Sequence, residues 1–427
     1  MTRTRGGEPR LKRMLQEARE RFERIAPWKA AVIAGIVAWI LTTFLYSPPF
    51  WVPLAGGGPA PARIDDFNAL CANPLARDLN EPILAYRIFT PALAWLLGLR
   101  GFSGVILQYL AIPATLGLVF HAVSGRSGRS TALLATIGVA CSYATIWTNT
   151  KPGFPDSITH LAVASLLVSN HRGLLVLMSV CGTLNDERFV LAVPFILLWH
   201  ASSGSFRELV KEGAAPAASI LFGLLIAGLV RFALESGRIG PGIEIPELYD
   251  ELGSLDRRGP HDGWSSYLVN VVMSYRWLWL VFVFALVRPA PWNAARSLYV
   301  LSMVLVVIAS GGVADVSRSI GFAYPAFLIA VCDLPGIGSR PNRWLLPLLL
   351  SCLVTPCFHV NRAVEGKGLN LQLERPLPFS ILRATTGWDV LDPLKKWRSG
   401  LASNPPTSPG RFSAAGPTAP GDRSLDS

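Results

Sequence analysis

The chain has 427 residues, of which 51% are hydrophobic and 16% are charged, and its formal net charge is +11. A soluble domain has about a quarter charged residues, so this composition, with a mean hydropathy of +0.39, excludes an ordinary soluble protein. Long apolar runs without a two-residue period also exclude a membrane β-barrel, so we predict an all-α, polytopic membrane protein. Its basic residues flank apolar segments and indicate a membrane surface, with no nucleic-acid partner.

The first 29 residues form a basic segment in which Leu11, Leu15, Phe22 and Ile25 recur at near-helical spacing. This pattern predicts an amphipathic helix on anionic cytoplasmic lipid. No small-residue cleavage pattern follows the first apolar stretch, so we expect that stretch to remain as a membrane anchor with the N-terminus in the cytoplasm.

Hydropathy divides the chain into a cytoplasmic segment (1–29), a transmembrane bundle (30–360), an extracytoplasmic tail region (361–399) and a disordered tail (400–427). The bundle contains about eleven predicted spans, at 30–46, 102–123, 131–149, 158–170, 173–184, 189–200, 213–234, 267–287, 297–312, 319–335 and 343–360. With this count, every short inside loop is basic and the outside loop 235–265 is acidic, as the positive-inside rule requires. We therefore predict a multi-pass protein of the cell (inner) membrane with its C-terminus outside.

The first outside loop, 47–101, contains Arg63 followed by the acidic pair Asp65 and Asp66. Further along, apolar residues from Ile83 to Leu97 share one helical face that charged residues, among them Arg87, interrupt. This pattern predicts an interfacial helix and not a span. The acidic pair is either a functional site or a simple helix cap.

Three other polar groups map to the same predicted side, and one arginine lies inside a span. They are Lys151 with Asp156 in TKPGFPDS, the run Asp186, Glu187 and Arg188, Asp315 with Arg318 in ADVSRSIG, and Arg276 in span 267–287. Lys151 with Asp156 also reads as a turn with an N-cap, and Asp315 with Arg318 as a local surface pair. Arg276 is a functional candidate because an arginine within the bilayer is costly, unless the helix is broken there and the side chain reaches the interface.

At these residues the chain resembles the GT-C superfamily, polytopic glycosyltransferases that use lipid-phosphate-linked sugars. The resemblance lies in the first helix followed by a long outer loop with RIDDF (63–67) and YRIFTP (86–91), and continues in PGFPDSITHL (152–161) and TLNDERFVLAVP (183–194). Asp186-Glu187-Arg188 departs from the Arg-Glu-Thr order of similar proteins. The resemblance implies transfer of a sugar from a polyprenyl-phosphate donor to an unspecified acceptor at the outer face.

Glycosyl transfer assigns a role to each candidate. Asp65 or Asp66 is the predicted general base for the acceptor hydroxyl. The predicted contacts to the substrates are Arg87, Lys151, Asp156, Asp186, Glu187, Arg188, Arg276, Asp315 and Arg318. The arginines and the lysine supply the positive charge that a lipid-phosphate leaving group requires. No cofactor is predicted, and a divalent metal is left open.

Two other classes of function remain open at this point. A transporter or lipid flippase also fits eleven spans and an intramembrane arginine, although its polar site is expected at the midplane between two related halves. A non-catalytic envelope assembly protein is the third reading. It predicts that the polar groups of the outer loops do not meet in space.

Overall fold

A computed structural model of the chain describes residues 17, 20–46, 61–79, 82–151, 153–201, 206–240, 264–287, 292–312, 315–333, 342–362, 369–374 and 377–386. The predicted disordered tail (400–427) lies outside these residues. Most of the acidic loop and most of the N-terminal basic segment also lie outside them. The part that is described is mainly helical.

The described residues of the first half of the chain form ten α-helices. They are α1 (Pro27–Tyr46), α2 (Pro61–Ala72), α3 (Phe89–Leu96), α4 (Val105–Ser127), α5 (Arg129–Ala140), α6 (Tyr143–Thr150), α7 (Asp156–Val168), α8 (Arg172–Asn185), α9 (Val193–His200) and α10 (Phe206–Glu235). Three 3-10 helices, Pro82–Tyr86, Gly101–Gly104 and Glu187–Ala192, lie between them.

The second half has shorter helices and two strands. They are α11 (Trp264–Tyr275), a 3-10 turn (Arg276–Leu278), α12 (Trp279–Val287), α13 (Ala294–Ser310), α14 (Val316–Gly321), α15 (Tyr324–Asp333), α16 (Asn342–Val354), β1 (Cys357–Arg362), β2 (Leu369–Glu374) and α17 (Leu377–Thr386).

The helices confirm a multi-pass membrane protein but not eleven crossings. Among the described residues, four helices are long and apolar enough to cross a bilayer, Pro27–Tyr46, Val105–Ser127, Arg207–Glu235 and Ser266–Val287. A fifth crossing results if α5 and α6, which are bent by 60° at their junction, form one broken span. The remaining predicted spans contain shorter apolar helices, such as Ala294–Ser310 and Asn342–Val354, which fall below the roughly 20 residues typical of a membrane-spanning helix and do not confirm further crossings.

Two local predictions need correction. The chain is not strictly all-α. In the predicted last span (343–360), the helix α16 ends at Val354 and is followed by β1. β1 pairs antiparallel with β2, with Cys357 opposite Glu374 and Arg362 opposite Leu369. In β2, leucines at 369, 371 and 373 alternate with polar residues, a period of two that favours a strand.

The predicted interfacial helix is also divided. A 3-10 helix (Pro82–Tyr86) precedes α3, and Arg87 and Ile88 lie between them. Arg87 is buried at this break. The break therefore directs a guanidinium into the protein instead of along a helix surface.

A close helix contact joins α1 to α4 through small residues. A Cβ placed at Gly35 would lie 2.4 Å from the backbone oxygen of Pro113 and 2.7 Å from the nitrogen of Gly117. Ala31 and Ala34 lie on the same buried face of α1. Such small residues let two helix backbones approach closely, which is a common way of packing helices in lipid.

We expect Gly35→Ala to destabilise the protein by about 1 to 3 kcal/mol, because the added methyl group forces two backbones apart. Thermal unfolding of the purified chain in detergent measures the effect. Gly125→Ala is the matched control, since a Cβ at Gly125 of α4 meets no described atom within 4 Å. Equal melting temperatures for the two variants would contradict this account of the α1–α4 contact.

Candidate functional site

Eight charged side chains from five parts of the chain form a row of alternating sign. In spatial order they are Asp315, Arg318, Asp156, Arg188, Asp186, Arg87, Glu187 and Arg231. Four carboxylates face four guanidinium groups, so the formal charges of the row cancel.

The first part of the row joins α14 to the start of α7. Arg318 is 2% exposed, and its Nε and Nη2 donate hydrogen bonds to Asp156 Oδ2 at 2.9 and 2.7 Å. Its Nη1 donates to Asp315, which directly precedes α14. One guanidinium therefore bridges two carboxylates that are 159 positions apart in the sequence, since 315 − 156 = 159.

The middle of the row lies in the turn between α8 and the 3-10 helix Glu187–Ala192. Arg188 donates from Nε to Asp186 Oδ1 at 2.8 Å and from Nη2 to Asp186 Oδ2 at 2.5 Å. The same Nη2 lies 3.5 Å from Asp156 Oδ2. Asp186 also accepts a bond from the backbone N–H of Arg188 at 2.9 Å, so it caps the 3-10 helix while it forms the two-pronged ion pair.

The last part of the row reaches α10. Arg87 lies 3.5 Å from Asp186 Oδ2 through Nη1 and donates from Nη2 to Glu187 Oε1 at 2.8 Å. Arg231 Nη2 lies 3.4 Å from Glu187 Oε2 and donates to the backbone oxygen of Thr183 at 2.5 Å. The side chain of Glu187 is 40% exposed and that of Asp315 31%, so both ends of the row are open.

Neighbouring positive charge keeps the centre of the row ionised. Burial alone raises the pKa of the Asp186 carboxyl, but Arg188 and Arg87 outweigh that effect and hold the pKa well below its usual range. A buried charge is tolerated only when it is paired and hydrogen-bonded. Because the charges cancel, the row remains stable in a buried setting.

Uncharged polar side chains fix the segments that carry the row. Asn185, the last residue of α8, donates to the backbone oxygen of Pro155 at 2.7 Å and to Thr159 Oγ1 at 2.8 Å. Thr90 of α3 donates to the Asn185 side-chain oxygen. These bonds fix the positions of α3, α7 and α8 relative to one another, and so bring the side chains of Arg87, Asp156 and Asp186 together.

Gln108 of α4 organises the loop before Asp156. Its Nε2 donates to the backbone oxygens of Thr148 and Lys151 at 2.8 and 3.0 Å, and its Oε1 accepts from Gly153 N at 3.2 Å. Gly153 has a positive φ of 85°, which a residue with a side chain rarely adopts. The turn thereby brings Asp156 to the buried end of α7.

Several buried polar atoms next to the row have no hydrogen-bond partner among the described residues. They are Asp156 Oδ1, His160 Nε2, Trp147 Nε1, Arg87 Nε, Arg231 Nε and Thr183 Oγ1. Buried polar atoms are normally satisfied by protein or water, so a concentration of unpartnered atoms marks the place where a polar ligand or water would find hydrogen-bond partners.

Aromatic rings cover the guanidinium groups of the row. The Arg318 guanidinium carbon lies 4.7 Å from the ring centroid of Phe154 and 5.3 Å from that of Trp147. The Arg188 guanidinium carbon lies 5.2 Å from the ring of Phe322. Such contacts stabilise a cation that is removed from water.

The structure thus brings together three of the four predicted outer groups and leaves the acidic pair elsewhere. Asp65 is exposed and Asp66 is buried on α2, which packs on α3 and Gly101–Gly104 and contributes no member to the row. Lys151 lies outside the row as well, with its Nζ 5.5 Å from the ring of Trp147.

Arg276 is also outside the row, at the 3-10 turn between α11 and α12 in the middle of the candidate span Ser266–Val287. Its Nη1 donates to Tyr46 Oη at 2.6 Å and to the backbone oxygens of Cys352 and Thr355, both at 2.8 Å, while Nη2 donates to the oxygen of Cys141. Its φ is +51°. The guanidinium therefore binds the open carbonyls at the ends of α5 and α16, a structural role for which its position in the sequence gave no signal.

The sequence did not single out Arg231, His160 or Asn185. Arg231 had a readable signal, since it is an arginine within the predicted span 213–234. The other two had none, because a single histidine or asparagine near a helix end most often satisfies local backbone groups. Only their partners across α7 and α8 identify them.

Two other kinds of site find less support. Among the described residues, no group of three His, Cys, Asp or Glu side chains could hold a metal ion. A groove of about 520 Å³ between α9, α10 and α13 is lined by apolar side chains and Ser297, and offers no charged group for catalysis.

Comparison of the chain with protein-family models, with curated proteins and with solved structures gave no match.

We expect Arg276→Lys to lower the free energy of unfolding by about 1.5 to 3 kcal/mol, since one ammonium group cannot reach the carbonyls of Cys141 and Thr355 together. Thermal unfolding in detergent measures the loss. Arg207→Lys, at an exposed position of α10, serves as the control. A melting temperature for Arg276→Lys equal to that of the control would show that those carbonyl contacts contribute nothing to stability.

Proposed function

We propose that the chain is an integral membrane glycosyltransferase of the GT-C type, which moves a sugar from a polyprenyl-phosphate donor to an acceptor at the outer face of the cell membrane. The observation that carries this proposal is the row of alternating charges with two open ends. Segments far apart in the sequence supply it, and the predicted topology assigns Asp156, Asp186 and Asp315 to the same side of the membrane.

The reaction needs a base on one side of the sugar and positive charge on the other. The acceptor hydroxyl oxygen attacks the anomeric carbon while the bond from that carbon to the phosphate oxygen breaks. The phosphate leaves with the electron pair, and the hydroxyl proton passes to a carboxylate. A direct displacement of this kind inverts the anomeric centre.

The Glu187 end of the row is the part best suited to bind the phosphate of the donor lipid. Arg87 and Arg231 both contact Glu187, and each keeps a buried Nε without a partner among the described residues. Arg231 projects from α10, where Leu229 and Phe232 are exposed large apolar side chains, 59% and 54%. A surface of this kind faces lipid in a membrane protein, so a donor headgroup approaching from the bilayer reaches these guanidinium groups first.

The base is assigned to Asp65 or Asp66 on α2. Asp66 is 3% exposed while Asp65 is exposed, so the two carboxylates differ in environment despite being adjacent. The carboxylates of the row are poorer candidates, because pairing with arginine favours the ionised form and weakens its basicity.

A transporter or flippase is the second candidate, and one observation favours it. The 60° bend between α5 and α6 and the break at Arg276 are discontinuous helices of the kind that form transport sites. At the first break, however, Ser142 Oγ donates to the backbone oxygen of Val139 at 2.8 Å, and the backbone oxygen of Cys141 accepts from Arg276 Nη2. Because the polar groups at both breaks are taken by the protein itself, we prefer the enzyme. An envelope assembly protein predicted scattered polar groups, and the row argues against that reading.

We expect Asp65→Asn or Asp66→Asn to reduce sugar transfer by about 10² to 10⁴, the usual effect of removing a general base. The measurement is transfer of labelled hexose from polyprenyl-phosphate carriers to acceptors in membranes that contain equal amounts of each variant. Asp78→Asn, at an exposed carboxylate of the same outer segment, is the control.

Two results are decisive against parts of this proposal. If neither aspartate variant differs from the control while wild type is active, the base is another group. If wild type transfers no hexose but moves a labelled solute or lipid across proteoliposomes, the transporter reading replaces the enzyme.

A further inference from the structure

The two oxygens of the Asp156 carboxylate have opposite surroundings. Oδ2 accepts two bonds from Arg318, at 2.9 and 2.7 Å, and lies 3.5 Å from Arg188 Nη2. Oδ1 is buried and has no hydrogen-bond partner among the described residues. The residue is 1% exposed, so bulk solvent does not satisfy this oxygen.

His160 carries a second unpartnered atom on the same face of α7. It follows Asp156 by four residues, which places the two side chains one turn apart. Its Nε2 is buried without a partner among the described residues, and Asp156 is the charge that acts on it most strongly. The imidazole stacks on Phe322 at 4.6 Å between centroids, which fixes its plane.

The charges nearby restrict what these two atoms can bind. A cation at Oδ1 is disfavoured because the guanidinium groups of Arg318 and Arg188 already contact this carboxylate. An anion is disfavoured by the carboxylate itself. A neutral hydroxyl fits, because it donates one hydrogen bond and accepts others, and an imidazole nitrogen serves in either role.

Access to this place comes from the Asp315 end of the row. Asp315 is 31% exposed at its side chain, and Phe154, which is partly exposed, covers Arg318. Trp147 lies against the same guanidinium and has a third buried donor, Nε1, without a partner among the described residues. In the order of the row, Arg188 therefore separates the polar atoms around Asp156 from Glu187 and Arg231.

We propose that Asp156 Oδ1 and His160 Nε2 hold a ring hydroxyl of the sugar that is transferred. This inference rests on the proposed function, in which the phosphate lies at the Glu187 end of the row. The site makes the protein selective for the hexose itself, because a donor without the correct hydroxyl leaves a buried charged acceptor unsatisfied.

The test compares equilibrium binding of bare polyprenyl phosphate with that of polyprenyl-phosphate glucose, mannose and galactose to the full chain in detergent. We expect at least one hexose to increase the affinity of wild type over that for the bare phosphate. His160→Phe preserves the stack on Phe322 but lacks Nε2. We expect this variant to bind the preferred hexose lipid about tenfold more weakly than wild type, the usual effect of one hydrogen bond. Its affinity for bare polyprenyl phosphate should not change.

A deoxy series identifies the hydroxyl. One monodeoxy analogue of the preferred hexose should bind wild type about tenfold more weakly, yet lose nothing further in His160→Phe. Asp156→Asn should also bind the preferred hexose lipid more weakly than wild type and lose nothing further with that analogue, and the melting temperature of this variant reports whether Arg318 still has a stable environment. His200→Phe is the matched control, since that histidine is bound to the oxygen of Leu166 at 2.8 Å at the other end of the bundle.

The outcomes separate this inference from the proposed function. If wild type binds none of these lipids, the proposed function fails. If wild type binds bare and hexose-bearing lipids equally, or if His160→Phe keeps the full effect of the hexose, the atoms hold an ordered water only and this inference is overturned.

Discussion

The pairing of buried charges is the constraint on which this end of the bundle depends. Removing one partner of a buried ion pair costs about 3 to 5 kcal/mol, because an uncompensated charge remains in a medium of low dielectric constant. In this protein the partners come from the segment before α3, from α7, α8, α10 and the start of α14, so pairing any one charge fixes the position of at least two segments. α14 has only six residues. Its Arg318 and Ser317 side chains bond to Asp156 and to the backbone oxygen of Asn270, and these contacts tie the short helix to α7 and α11.

That constraint explains why the convergence could not be predicted from the sequence. Hydropathy and the positive-inside rule predicted correctly that Asp186, Glu187 and Arg188 interrupt an apolar stretch, and they assigned Asp156 and Asp315 to the same side. They carried no information on whether these groups meet, since that depends on Asn185 and Gln108, whose hydrogen bonds join distant segments. The strands differ in this respect, because the alternation in β2 is readable in the sequence, although the prediction placed these residues in the last span and the tail region.

The two ends of the row have different neighbours, and this asymmetry suits a reaction with two substrates. Arg231 lies on a helix with exposed apolar side chains, whereas Asp315 pairs with Arg318, whose guanidinium lies against the ring of Phe154. Between them Arg188 contacts both Asp156 and Asp186. A shift of either carboxylate therefore changes the contact of Arg188 with the other.

Arg276 and Arg318 show how a buried arginine that supports the fold differs from one that serves a site. Both are almost fully buried, and the sequence marked both as candidates. Arg276 donates to carbonyls that close two helix ends, and it forms no ion pair with a carboxylate in the part of the chain that the structure describes. Arg318 binds carboxylates, one of which keeps a free oxygen beside His160. Burial and charge are thus similar for the two arginines, and the kind of hydrogen-bond partner is what distinguishes the arginine that supports the fold from the one that serves a site. A guanidinium bound to carbonyls completes a structure, whereas one bound to a half-satisfied carboxylate sets the charge of an atom that is still able to bind a ligand.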